Sequence, residues 1–171
     1  MGVRLLEWLS GQPHELVTFV LAMLPIFELR GAIPYAVTIG HLPWQEAYAI
    51  AVLGNFLPVI PIVFLIGPVS ESLRRLRFFD RFFDWLFTRT RRKGKLIERF
   101  EVLGLILFVA IPLPVTGAWT GSVAAFLFGV RKPIAFGAIL VGICIAGVVV
   151  TLATTGVISV WGVHAPSAPT H

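Results

Sequence analysis

Apolar residues fall along the chain in four blocks: Leu16 to Gly40, Ala47 to Ile66, Val102 to Val130 and Ile134 to Val163. A helix that spans a bilayer needs about 20 consecutive, predominantly apolar residues. The second and fourth blocks meet that requirement. The second carries no charge, although Asn55, Pro58 and Pro61 punctuate it, and the fourth is rich in glycine and uncharged. The first and third are long enough but interrupted near the middle, the first by Pro25, Glu28, Arg30 and Pro34, the third by Pro112, Pro114 and Gly117. Two structures fit an interrupted block. One is a kinked spanning helix whose neighbours repair the lost hydrogen bonds. The other is a re-entrant hairpin, two half-helices that enter and leave by the same face.

The basic residues separate these alternatives. Ten of the fourteen Lys and Arg residues lie between Glu71 and Glu101. The positive-inside rule makes that segment cytoplasmic. Arg131 and Lys132 follow the third block and belong on the same side, so the third block is expected to be re-entrant. The link His41 to Glu46 has no Lys or Arg, which fits the opposite side. The expected fold class is therefore an all-α polytopic membrane protein with an inverted repeat of re-entrant hairpin plus transmembrane helix. In one membrane domain, 1–171, repeat 1 covers 1–68 (hairpin 16–40, span 47–66) and repeat 2 covers 100–163 (hairpin 102–130, span 134–163). Residues 69–99 form a cytoplasmic amphipathic helix and basic loop, and 164–171 a frayed tail. Pro25 to Gly40 and Pro114 to Gly129 are equal in length, and each is followed within four residues by a further proline, Pro43 or Pro133. Inverted repeats with broken helices are how many transporters build a midplane site.

In the connecting segment Ser72 to Phe87, Leu73, Leu76, Phe79, Phe83 and Leu86 recur at helical spacing, with Arg74, Arg77, Arg81 and Asp84 between them. Such a basic amphipathic helix belongs in the cytoplasmic interface, or packed on protein or a second copy. Composition agrees with the membrane reading. The chain is 57% hydrophobic and 13% charged, with mean hydropathy +0.87, whereas a soluble domain is about one-quarter charged. Disorder is excluded and a soluble enzyme disfavoured. The net charge of +5 sits beside apolar blocks, so an anionic leaflet rather than nucleic acid is the expected partner. Cys144 is the single cysteine, which leaves no intrachain disulfide and no Cys-rich metal site. The stretch Val3 to Leu9, broken by Arg4 and Glu7, does not read as a signal peptide. His14, His41, His164 and His171 lack metal-ligand spacing, and neither a metal nor a cofactor is expected.

Candidate chemistry concentrates at the two interruptions. Pro25 to Pro34 places Glu28 and Arg30 in an apolar block, where each charge costs about 2.5 to 3.5 kcal/mol even on the lenient insertion scale. On one continuous helix, residues two apart point to different faces. At a hairpin tip, with Gly31 relaxing the backbone, both reach one aqueous cavity. A structural ion pair is the bland alternative to an ion or substrate pathway. Pro112 to Ser122 is polar and uncharged: Thr116, Thr120 and Ser122 supply hydroxyls, Gly117 and Gly121 accessible backbone, and Trp119 an aromatic ring. Such a tip suits an anionic headgroup or the Glu28 carboxylate, against the alternative of small-residue helix packing. Asn55 reads as an interhelical hydrogen bond, and Gly142 to Gly147 as close packing.

Glu-Leu-Arg-Gly-Ala-Ile-Pro, Glu28 to Pro34, with Pro-Leu-Pro-Val-Thr-Gly-Ala-Trp-Thr-Gly, Pro112 to Gly121, resembles the small multidrug export protein family over nearly the whole chain. That family is in turn similar to the DedA, or VTT-domain, membrane proteins. The resemblance implies paired re-entrant hairpins, an amphipathic helix, and proton-linked transport or lipid translocation. DedA-type proteins carry an arginine in the second hairpin where this chain has Thr116 and Trp119, which weighs against a phosphate-lipid substrate. The expected function is a secondary transporter, not an enzyme, of the inner (plasma) membrane. It would exchange protons for a small amphipathic or lipid substrate. Glu28 is the coupling carboxylate, Arg30 its partner or an anion ligand; Pro25, Pro34, Pro112 and Pro114 break the helices, and Thr116 and Thr120 line the facing tip. The alternatives are a passive lipid scramblase and a membrane scaffold that moves nothing. Two spans and two hairpins make a thin wall around a cavity, which leaves room for a homodimer.

Overall fold

The computed structural model describes residues 11–73, 95–112 and 116–160. Every regular element among them is a helix: α1 His14–Met23, α2 Glu28–Thr38, α3 Trp44–Phe56, α4 Val59–Leu73, α5 Lys95–Ala110, α6 Ala118–Leu127 and α7 Lys132–Val160. Two stretches are long and apolar enough to cross a membrane, Trp44–Gly67 with 24 residues and Lys132–Gly156 with 25. They correspond to the second and fourth apolar blocks. At 1.5 Å per residue each reaches roughly 36 Å, against a hydrocarbon core of about 30 Å. The first and third blocks are each two helices rather than one. Of the amphipathic segment Ser72 to Phe87, only Ser72 and Leu73, at the end of α4, are described. Its aromatic residues Phe79, Phe83 and Trp85 lie outside the described residues, as do Pro114 and the tail 164–171.

The interruption between α3 and α4 falls at Leu57 and Pro58. Proline has no N–H to return to the Gly54 carbonyl, and its ring crowds that carbonyl. The helix resumes with the Ile62 N–H on the Pro58 carbonyl at 3.2 Å. Pro61 is the third residue of α4, in the first turn, where a missing donor breaks no intrahelical bond.

The chain divides into two compact units, residues 1–55 with 146–171, and residues 56–145. In the first unit α1 and α2 lie antiparallel. Pro25 explains the break, since the residue before a proline is pushed out of the α region; Leu24 has φ −80° and ψ 133°. The far ends of the pair are joined by a hydrogen bond between His14 Nδ1 and the Tyr35 hydroxyl, 3.0 Å. A Cβ on Gly40 would stand 2.9 Å from the Ala36 carbonyl oxygen and 3.0 Å from His14 Cβ, so this approach requires glycine. Val17, Ala22, Leu29, Ala32, Ile33 and Ala36 are buried in the pair. Helix α3 meets α1 at Gly54, whose added Cβ would come 2.6 Å from the Phe19 carbonyl oxygen. The later part of α7 meets α3 at Gly147, beside Tyr48 and Val52.

In the second unit α6 packs against α4 and α5. Val109 of α5 fits where Gly121 of α6 and Gly142 of α7 leave room: a Cβ on Gly142 would lie 2.7 Å from Val109 Cβ, and one on Gly121 would collide with Val109 Cγ2. The Phe136 ring meets Phe64 at 5.7 Å and Phe56 at 6.3 Å between centroids. Helix α6 closes with a paired-carbonyl stop, Gly129 N–H to Phe126 O at 3.0 Å and Val130 N–H to Ala125 O at 2.9 Å. Gly129 at φ 70° supplies the left-handed residue that this closure needs.

One expectation is corrected. Pro34 does not break a helix: α2 runs through it from Glu28 to Thr38. The neighbouring N–H groups keep the turns closed, with Ile39 and Gly40 both bonded to the Tyr35 carbonyl at 2.9 Å. Gly40 and Gly129, equally spaced from Pro25 and Pro114, differ in local geometry. At the end of α2 the left-handed residue is His41, φ 52°, and Gly40 serves close packing instead.

Candidate functional site

Glu28 opens α2 directly after the Leu24–Phe27 turn. That turn is held by Phe27 N–H to Leu24 O at 3.2 Å and Glu28 N–H to the same oxygen at 2.9 Å. Glu28 has φ 45°, a left-handed conformation that costs a residue with a Cβ roughly 1 to 2 kcal/mol. Its side chain is 7% exposed, and its Oε2 lies 3.6 Å from Nη2 of Arg30, whose side chain is 25% exposed. The two charges are thus brought together although both belong to one helix. Gly31, expected to supply the freedom, is helical; its N–H bonds the Phe27 carbonyl at 2.9 Å. An added Cβ on Gly31 would press on the Phe27 ring at 2.9 Å. Being in the first turn of α2, the Glu28 carboxylate also sits at the positive end of that helix dipole. Pro34 stands one and a half turns on, and its carbonyl accepts the Thr38 hydroxyl at 2.7 Å.

The interruption in the second unit is polar and uncharged. Helix α5 ends at Ala110, and Pro112 follows it. The Thr116 hydroxyl donates to the Ile111 carbonyl at 2.6 Å; Pro114 lies outside the described residues. Gly117 is buried and precedes α6 without a side-chain cap. Trp119 is half-buried and Thr120 exposed; the Thr120 hydroxyl makes a long bond to the Gly117 carbonyl, 3.4 Å. Ser122, fully buried, donates to the Ala118 carbonyl at 2.7 Å. These hydroxyl protons are all directed to nearby backbone.

The structure therefore brings Glu28, Arg30, Gly31 and Pro34 together in the first unit, and Pro112, Thr116, Gly117, Trp119 and Thr120 together in the second. Asn55, expected to bond across helices, is 2% exposed, and its Oδ1 has no hydrogen-bond partner. Thr151 shares that condition at 6% exposure. Unlike Thr154 and Thr155, which bond back one turn, it does not use the preceding carbonyl. Phe27 was missed by the sequence reading; the signal for it was an aromatic residue four places before Gly31. Among the described residues no cluster of three His, Cys, Asp or Glu side chains is placed to hold a metal ion.

Comparison with known proteins gives one match. Residues 28–149 match the family described as "Putative small multi-drug export protein", a span that begins at Glu28 and takes in both tips. No curated protein and no solved structure matches the chain.

Proposed function

The chain belongs to the small multi-drug export family, and from that premise we propose that it is a proton-coupled secondary transporter of a small amphipathic or lipid substrate. The family is described as one of export proteins, which supports a transport reading. The observation that carries the reading is Glu28: a carboxylate buried in an apolar block, held at φ 45° and ion-paired to Arg30. Ionisable groups in such settings ordinarily mark ion or substrate pathways, and strained backbone concentrates at functional positions. Glu28 takes up and releases the coupling proton. Arg30 pairs with the carboxylate in one state and receives an anionic group in another.

The same proposal covers topology. Helices α1, α2 and α6, of ten or eleven residues, reach only about 15 Å, half the hydrocarbon thickness. That length supports two re-entrant hairpins, each followed by a span, in an inverted repeat of the DedA kind. The inner membrane, cytoplasmic basic segment and homodimer belong to this reading.

The test is flux in liposomes containing the full chain, with an imposed pH gradient and an amphipathic cationic dye as the probe. Wild type is expected to move dye against its gradient and to dissipate the pH difference as it does so. Glu28→Gln should insert and fold yet lose gradient-driven movement, Glu28→Asp should retain part of it, and Arg30→Ala should impair both binding and coupling. Coupled flux at the wild-type rate from a stable Glu28→Gln protein overturns the coupling role. Lipid movement independent of the gradient would mark a scramblase, and neither flux a scaffold.

A further inference from the structure

We infer that a groove in the second unit binds an anionic phospholipid, with a stretch of one acyl chain between the helices and the phosphate at Lys132. The groove, about 170 Å³, is formed by Val63 and Gly67 of α4, Ala125 and Phe126 of α6, and Lys132 and Ala135 of α7. An apolar cavity of roughly 150 Å³ accommodates a benzene-sized group. The space therefore takes part of a chain rather than a whole lipid. The small side chains at Gly67, Ala125 and Ala135 open it.

Its depth follows from the two long helices. The second apolar block ends at Ile66, beside Gly67, and Lys132 is the first residue of α7; Gly67 and Lys132 both stand on the wall of this groove. The groove therefore lies where one apolar run ends and another begins, at the boundary between hydrocarbon and headgroups. Lys132 is exposed, with Nζ 5.1 Å from the Phe64 ring centroid. This is the posture of a lysine whose stem covers apolar surface while the ammonium reaches the polar layer. Among the described residues no acidic side chain lines the groove, and the Ser122 hydroxyl on its wall donates to the Ala118 carbonyl. Lys132 is thus the charged group that selects the headgroup. An inorganic anion would satisfy the ammonium and leave the apolar walls uncovered, whereas a phospholipid meets both.

This inference rests on the membrane placement of the two long helices and not on transport. The experiment reconstitutes the full chain in phosphatidylcholine vesicles carrying a trace of phospholipid spin-labelled low on the acyl chain. The label is attached either to phosphatidylglycerol or to phosphatidylcholine. Electron paramagnetic resonance reads the motionally restricted fraction. Wild type is expected to prefer phosphatidylglycerol about five-fold, the effect of one basic residue at an anionic surface. Lys132→Gln should remove the preference. Gly67→Leu should also remove it, by filling the groove; a Cβ at Gly67 meets nothing within 4 Å, and leucine is the better helix former. Equal restriction of the two labels by wild type overturns the inference, as does a preference that survives either substitution in folded protein. Dye flux is a separate readout, so failure here leaves the Glu28 proposal standing, and the reverse.

Discussion

Glu28 allows a test in which the expected order of two variants is the reverse of the ordinary one. In most helical positions alanine is more stable than glycine by roughly 0.5 to 1 kcal/mol, because glycine loses more backbone freedom on folding. Glu28 stands at φ 45°, where a Cβ costs about 1 to 2 kcal/mol and glycine escapes that cost. Subtracting the entropic disadvantage of glycine leaves Glu28→Gly ahead of Glu28→Ala by up to about 1.5 kcal/mol. Both variants lose the same carboxylate and the same 3.6 Å contact with Arg30, so the ion pair cancels from the comparison. That matters, because Arg30 is a quarter exposed and the pair's own contribution is about 1 kcal/mol or less. The assay is thermal unfolding of the purified variants in one detergent, followed by helical circular dichroism. Glu28→Gly should melt above Glu28→Ala, and neither should support gradient-driven dye movement. An alanine variant that melts above the glycine variant would refute the left-handed backbone at Glu28.

Glycines in contact and glycines in the open should respond oppositely. Gly54→Ala and Gly142→Ala press a methyl group on the Phe19 and Ile106 carbonyls respectively and should lower stability by about 1 to 3 kcal/mol; Gly104→Ala and Gly137→Ala, which meet nothing within 4 Å, should be neutral or stabilising by up to about 1 kcal/mol. Thermal melts of the four variants decide this, and a large loss at Gly137 would contradict the packing described. For topology, cysteines placed at Lys95 and Lys132 in a Cys144→Ser background should label from the same side of the membrane, and one at Leu42 from the other. Labelling of positions 95 and 132 from opposite sides would make the third block a full span and remove the inverted repeat.

What the sequence discloses and what it conceals divide along a physical line. Block lengths depend only on local composition, so the two stretches able to span a membrane were legible, and so were the interruptions at Pro25 and Pro112. Pro34 misled because proline's effect depends on position: α2 absorbs it where the neighbouring turns stay bonded. Glu28 and Arg30 were legible as misplaced charges, yet their geometry was not, since residue type announces neither the φ of 45° at Glu28 nor its contact with Arg30. The glycines show the same limit more sharply. Gly67, Gly137 and Gly142 look alike in sequence, but the first lines a groove, the second faces open space and the third lies on Val109. Each role is assigned by what stands opposite, which is a property of the packed chain. Lys132 combines both cases. Its charge marked an orientation from sequence alone, while its place on a groove wall with Gly67 depends on how α4 and α7 pack. Residues whose energy is dominated by solvent, a charge in an apolar block or a long apolar run, are therefore the ones a single sequence reveals. Residues whose energy is dominated by a partner appear only when the partner is in place.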